Sequence, residues 1–374
     1  MLRIVELTEL SGAYATRLFA EQGHEVIRVE QPEGDNLRRL PPFLGDKPRL
    51  EHSAYHQFLN AGKKSLTLNL RSSSGQKILL ELVRKVDVLV TNPHPLLEEK
   101  VLFETNPSLV LARIQDEGAE LCVFARSGLM SLTGHPDKSP MVLGGHLAYL
   151  AAGTYVAVAI ASAVAVFKKT GKGMTATVSI REALESLAEQ AMVEYGFSGV
   201  ATERRGSKGA ITAISGALPC RDGYWVISQI HRAGRWSKFM DWVQDPELAS
   251  DPSLAEEENQ YKKRDFIMDR LHAWAKRFPK TQLVEEAQNR HFPASPVSTP
   301  LDLVHDQQLI ARGFLAEMDH PEFGRITFPQ GAIAAIRGIR LTPAPTLGQH
   351  NLALLTELGY SEADTQTLIA SGAI

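Results

Sequence analysis

The chain has 374 residues, more than one compact core usually carries, so a large domain with a second, smaller one is expected. Hydrophobic residues make up 44% and charged residues 22%, which excludes long disordered tracts, and a formal net charge of -3 excludes a strongly basic nucleic-acid or membrane-surface binder. Cys122 and Cys220 lie too far apart in sequence for a metal site or a disulfide framework, so a reducing, cytoplasmic setting is expected.

Met1 to Glu6 enters a strand-like run with an acid inside it, unlike a secretory signal, so no export is expected. Short apolar runs then alternate with amphipathic stretches. Strands are predicted over 3–7, 25–29, 86–90 and 109–114, and helices over 13–22 and 74–84. This βαβ rhythm predicts a parallel sheet covered by helices on both faces. Gly12 falls in the first strand-to-helix turn, where such folds bring backbone close to a ligand. The chain has no GxGxxG fingerprint there, which disfavours a nicotinamide dinucleotide.

From Met141 to Phe167 the only titratable side chains are His146, Tyr149 and Tyr155, a stretch long enough to span a bilayer. Alanine and glycine dominate it, and Lys168, Lys169, Gly171 and Gly173 close it like a helix C-terminus, so a buried core helix is expected instead. Cys122, between Leu121 and Val123, reads as buried packing. The polar, glycine-rich stretch around 198–215, with Arg204, Arg205, Lys208 and Gly209, predicts a domain boundary ahead of a strand at 223–227. The expected division is a large domain over 1–200, a small α/β domain over 201–310, and a segment over 311–374 that returns to the large domain. A final amphipathic helix is expected near 351–358.

Several separated segments, taken in order, resemble the class III coenzyme A transferases. They include Gly12 to Thr16, Gly23 to Glu30, Gly34-Asp35 with Arg38, Lys63 to Leu66, and Val88 to Asn92. Further along come Ser127 to Gly134, Thr170 to Gly173, Pro296-Val297, Ala311 to Gly313, His320 to Gly324 and Pro345 to His350. The resemblance implies an α/β fold: a Rossmann-like parallel sheet carrying a smaller inserted domain, assembled as an interlocked dimer. It implies acyl-CoA and a carboxylic acid as substrates, with no permanently bound cofactor, no metal, and neither nucleic acid nor membrane as a partner.

Coenzyme A carries phosphates, a flat base and a long flexible arm, so its site needs cations and an apolar slot. By resemblance the candidates are Arg38, Lys63, Lys64, Leu68, Asn92 and Lys100, with solvated surface charge as the alternative for each cation. The family's nucleophile is an aspartate that attacks the thioester to form a mixed anhydride, and the incoming acid regenerates it. Counting back four residues from Gly153, the glycine of the long alanine-rich helix, places Tyr149 at that position. A phenol with a pKa of about 10 is protonated at neutral pH and is a poor substitute for a carboxylate.

The glycine-rich segment that precedes Ser127 in the family is shortened here to roughly 113–118, and Gly118-Ala119-Glu120 stands where the related racemases carry a histidine and an aspartate. No acid/base pair for a racemase remains. Glu120 and His146 are the candidate substitutes. Glu120 at a helix start is also explained by the macrodipole, and His146 by a capping or core role. The resemblance therefore implies a non-catalytic subunit, with an aspartate-bearing homologue as its partner in a heterodimer. The alternatives are a homodimeric enzyme with altered chemistry on a CoA thioester and a CoA-binding scaffold without chemistry.

Overall fold

A computed structural model of the chain describes all residues except 116–117, 207–213, 215 and 231–233. Lys208 and Gly209 of the expected boundary, and Asp116 and Glu117 of the shortened loop, lie outside the described residues.

The chain forms two compact units. The first comprises 1–129, 143–193 and 304–374, and the second comprises 130–142 and 194–303. The first is built on a six-stranded sheet of β1 (Arg3–Leu7), β2 (Glu25–Glu30), β3 (Lys64–Thr67), β4 (Val88–Thr91), β5 (Val110–Gln115) and β6 (Met174–Ser179). All neighbouring strands run parallel, in the order β3-β2-β1-β4-β5-β6. The central strands are buried on both faces, which is why Val5, Ile27, Val88, Leu89 and Leu111 sit in uninterrupted apolar runs rather than alternating with polar residues.

The helices that connect these strands are α1 (Leu10–Ala20), α2 (Ala54–Asn60), α3 (Ser73–Val83), α4 (Glu99–Thr105), α5 (Glu120–Arg126), α6 (Leu129–Leu132) and α7 (Leu147–Thr170). Helix α1 starts three residues before its expected position, because Glu9, Leu10 and Ser11 already turn at the end of β1. Helix α7 packs against α1, β5 and β6. Ala148, Ala152, Gly153, Val156, Ile160, Ala163 and Val164 form its buried stripe. The contact with α1 is very close: a side chain on Gly153 would bring its Cβ to 2.5 Å from the Ser11 carbonyl oxygen. Gly171 ends the helix in the left-handed region, at φ 70°.

Among the described residues α7 is the one helix long and apolar enough to cross a membrane. It is buried on one side only, since Tyr155, Val158 and Val166 are exposed in the single chain. Cys122 is exposed, contrary to the packing role expected for it. The short helix α5 buries Val123 and Phe124 and turns Leu121 and Cys122 outward.

The edge strand β3 is finished by residues from the far end of the sequence. The Ser65 N–H donates to His350 Nδ1 at 3.1 Å, Thr67 N–H donates to Asn351 Oδ1 at 2.9 Å, and Asn69 N–H donates to the Ala373 carbonyl at 2.8 Å. Strand groups that would otherwise stay unpaired are thereby satisfied.

The second unit holds a three-stranded antiparallel sheet of Leu218–Cys220, Gly223–Ile227 and Ala294–Pro296, packed with helices that include Arg235–Val243, Arg264–Ala275 and Lys280–Asn289. Trp225, Trp236 and Trp274 are buried in its core with Phe239 and Phe292, and Trp242 packs against them. Segment 130–142 joins this unit through Arg204, whose guanidinium donates to the carbonyls of Ser131, His135 and Lys138.

Candidate functional site

Strand order reverses between β1 and β4, and in such sheets ligands bind beyond the carboxyl ends of the strands that flank the reversal. A cavity of about 840 Å³ opens there, within the usual size of a small-molecule site. Its walls come from the strand ends Leu7, Val29, Glu30, Leu68 and Ile114, from the β1–α1 turn 8–12, and from Asn92, Pro93, His94, Gln115, Tyr149 and Ile180.

Of the residues singled out from the sequence, Tyr149, Asn92 and Leu68 lie in this wall. Asn92 Nδ2 donates to the Ile114 carbonyl at 3.1 Å, which fixes its amide across the ends of β4 and β5. Leu68 is fully buried at the end of β3. The four cations are elsewhere. Lys64 is at the start of β3, at the end of the strand away from the cavity, and pairs with Glu25 at 2.7 Å. Lys100 is 83% exposed on α4, with Glu104 3.9 Å away.

Arg38 and Lys63 are buried in a charge network beneath the cavity floor. Arg38 forks onto both oxygens of Glu30, at 2.8 and 2.7 Å, and reaches Glu51 at 2.6 Å. Lys63 Nζ donates to Glu6 at 2.9 Å, to the Ala13 carbonyl at 2.8 Å and to Asn60 Oδ1 at 3.1 Å. Arg28 joins Glu6 to Asp35. These cations already have carboxylate partners, so neither Arg38 nor Lys63 presents an open charge to a ligand phosphate.

The network shifts its members strongly. Burial alone would raise the Glu30 carboxyl, but the Arg38 hydrogen bonds and the nearby Arg28 and Arg38 charges bring it down to about 2. Burial lowers the Lys63 ammonium to about 8 against the pull of Glu6. His56, buried beside Arg38, is lowered to about 3 and is neutral at pH 7.

Glu120 and His146, 26 positions apart in sequence, are brought together. His146 Nδ1 lies 2.9 Å from Glu120 Oε2, and the Ala148 N–H donates to Glu120 Oε1 at 3.2 Å. Glu120 is the first residue of α5, as expected, while His146 caps α7 in the left-handed region with φ 55° and makes no side-chain cap bond of its own. The His146 ring stands edge-on to Tyr55, with centroids 4.8 Å apart, and 6.2 Å from the Tyr149 ring. Neither Glu120 nor His146 lines the cavity. Sequence reasoning missed the Thr8–Ser11 turn, whose one signal was Gly12 beside it.

Comparison with known proteins places this architecture. The sequence profile of CoA-transferase family III matches residues 2–351, and the chain belongs to that family. It is 28% identical to formyl-CoA:oxalate CoA-transferase of Streptomyces coelicolor, over 100% of this chain and 98% of that protein. It is 26% identical to the succinyl-CoA–L-malate CoA-transferase alpha subunit of Chloroflexus aurantiacus, over 96% of this chain and 88% of that one. Among solved structures, a CAIB/BAIF family protein from Brucella suis superimposes with a TM-score of 0.85 at 26% identity, covering 96% of this chain and 98% of the other.

Proposed function

We propose that this chain is the supporting subunit of a heterodimeric class III acyl-CoA:carboxylate CoA-transferase, whose nucleophilic aspartate is carried by a homologous partner. The observation that carries this reading is Tyr149, a phenol in the cavity wall at the family's nucleophile position. The other carboxylates of the wall have different duties: Glu30 and Asp35 are paired with arginines, and Glu9 accepts from Asn36. The relative from Chloroflexus is, by its name, one subunit of a larger enzyme.

In this reading the cavity receives part of an acyl-CoA, with Leu68 and Asn92 against it, and the partner interlocks with this chain. The exposed apolar residues Leu187, Met192, Tyr195 and Phe197, and the open side of α7, supply surface for such a partner.

A second reading is favoured by one observation, the hydrogen-bonded Glu120–His146 pair near Tyr149, which resembles an acid/base pair in a homodimeric enzyme. Both groups lie outside the cavity wall, and Glu120 spends its second oxygen on the α7 backbone, so capping accounts for the pair.

The test is mass spectrometry of the intact native complex, followed by CoA-transfer assays of the chain alone and with its partner. A one-to-one complex with an aspartate-bearing homologue, active only together, is expected. A homodimer with full activity overturns the proposal.

A further inference from the structure

A second cavity, of about 480 Å³, opens in the larger unit and shares no wall residue with the one at the strand ends. It lies among the helix Gln307–Ala311, the antiparallel hairpin of Leu315–His320 and Gly324–Pro329, and the helix Ala332–Arg337. Small residues leave the space: Gly313, Ala316, Ala335 and Gly338 stand around it, where longer side chains would fill it. Ile310, Leu315 and Ile339 supply the larger apolar groups of the wall, and the volume is that of a small-molecule site.

One buried donor at this cavity is unused. Gln330 is 3% exposed and forms part of the wall. Its Oε1 accepts the Leu341 N–H at 2.8 Å, which settles the orientation of the amide and leaves the NH2 group on the other side. Among the described residues that NH2 group has no acceptor, and it is not sealed off as the orphaned polar atoms of the core are. A donor on so buried a residue calls for an acceptor from outside the chain. The charges around the cavity decide which one. Its ionised side chains are Glu317, Arg325 and Arg340. Glu317 spends one oxygen on Arg325 Nε at 3.1 Å and the other on Thr327 Oγ1 at 2.9 Å. Arg340 is exposed and, among the described residues, has neither an ion-pair nor a hydrogen-bond partner. The wall therefore carries one net positive charge, which suits a singly charged anion.

We infer that this cavity binds a small amphipathic carboxylic acid, with its carboxylate on the Gln330 amide and the Arg340 guanidinium and its hydrocarbon chain against Leu315, Ala335 and Ile339. A doubly charged phosphate meets only one net positive charge here and has nothing to lay against the apolar wall. An uncharged alcohol of the same chain length fills the wall but leaves the guanidinium without a partner. The site does not depend on the CoA-transferase reading, because none of its residues belongs to the wall that holds Tyr149.

Binding of sodium hexanoate, acetate, hexanol and inorganic phosphate to the purified full-length protein, in its native assembly, is measured by ligand-observed NMR for wild type, Gln330→Glu and Arg340→Gln. Wild type is expected to bind hexanoate at least about tenfold more tightly than acetate, through burial of the longer chain, and more tightly than hexanol or phosphate. Gln330→Glu keeps an acceptor for Leu341 but replaces the donor with a carboxylate oxygen, and is expected to weaken hexanoate binding at least about tenfold. Arg340→Gln changes an exposed side chain with no partner to lose, so it is expected to melt as wild type does and to bind hexanoate about threefold more weakly. That second variant keeps the test decisive if the buried carboxylate of the first prevents folding. An Arg340→Gln protein that binds hexanoate as wild type does places the acid elsewhere on the chain and overturns the site. Acetate, hexanol or phosphate bound as tightly as hexanoate overturns it too. Absence of CoA transfer in a separate assay bears on the function of the whole protein and leaves this site standing.

Discussion

His146 Nδ1 donates to Oε2 of Glu120 at 2.9 Å, while Oε1 of the same carboxylate accepts the Ala148 N–H at 3.2 Å. One carboxylate thus closes the start of α7 from outside and holds the left-handed residue that begins it. Glu120→Ala removes both bonds and is expected to lower stability by about 1–2 kcal/mol, the scale of a lost helix cap. Glu120→Gln keeps an acceptor for Ala148 and should leave CoA transfer by the native complex within about twofold of wild type. A collapse of kcat in a folded Glu120→Gln protein would identify Glu120 as a chemical participant instead. Urea unfolding and steady-state rates on the same preparations decide it.

Tyr149→Asp restores a carboxylate to the cavity wall. The variant chain, assayed without any homologue, is expected to transfer CoA at least about tenfold above the wild-type background, because an ionised carboxylate is the nucleophile that the phenol cannot replace. Mass spectrometry should find the acyl group on residue 149, as the mixed anhydride left when the CoA thiolate departs. An inert, folded Tyr149→Asp chain that still binds CoA would show that more than the nucleophile has been lost.

The Arg38–Glu30 fork is fully buried, so removing one partner strands a charge. Arg38→Ala is expected to destabilise by about 3–5 kcal/mol, whereas the double change to apolar residues of similar volume should recover much of that loss. Denaturant titrations of the single and double variants measure the difference directly.

His56 is neutral in the folded chain, lowered to about 3 by burial and the Arg38 charge from an ordinary value near 6.5. Between those values the unfolded chain binds the extra proton, so stability is complete above about 6.5 and is lost as pH falls toward 3. Glu30, lowered to about 2, adds a loss in the same direction below its ordinary 4.5. The melting temperature is expected to fall from pH 7 downward, and His56→Gln should flatten the curve between about 6.5 and about 3 while leaving in place the loss that Glu30 adds below 4.5.

Much of the parallel unit was legible because its strands are short apolar runs between amphipathic helices, a pattern that survives without tertiary information. Strand Arg3–Leu7 and helix Asn351–Leu358 lie where periodicity puts them. The site was less legible. Arg38 and Lys63 look like ligand cations in a linear reading, because the carboxylates they serve, Glu30 and Glu6, reach them only through folding. Glu120 and His146 invited separate judgements because they come together only when α7 docks on α5. Segment 130–142 carries no composition signal for its place in the second unit; the Arg204 guanidinium, distant in sequence, puts it there. Gln330 is an ordinary polar residue until its burial and its unused donor are seen.

The finishing of β3 by His350, Asn351 and Ala373 sets a timetable for biosynthesis. A nascent chain leaves the ribosome with β1 to β6 and all 110 residues of 194–303 made before those partners exist. Until they emerge, the outermost strand has a bare edge, and Arg38 lacks its contact to the Pro345 carbonyl. The small unit, continuous over most of its length, can complete its tryptophan core while the larger one is still open. Translation of the segment from Pro345 to Ala373 is then the event that seals the older half of the molecule.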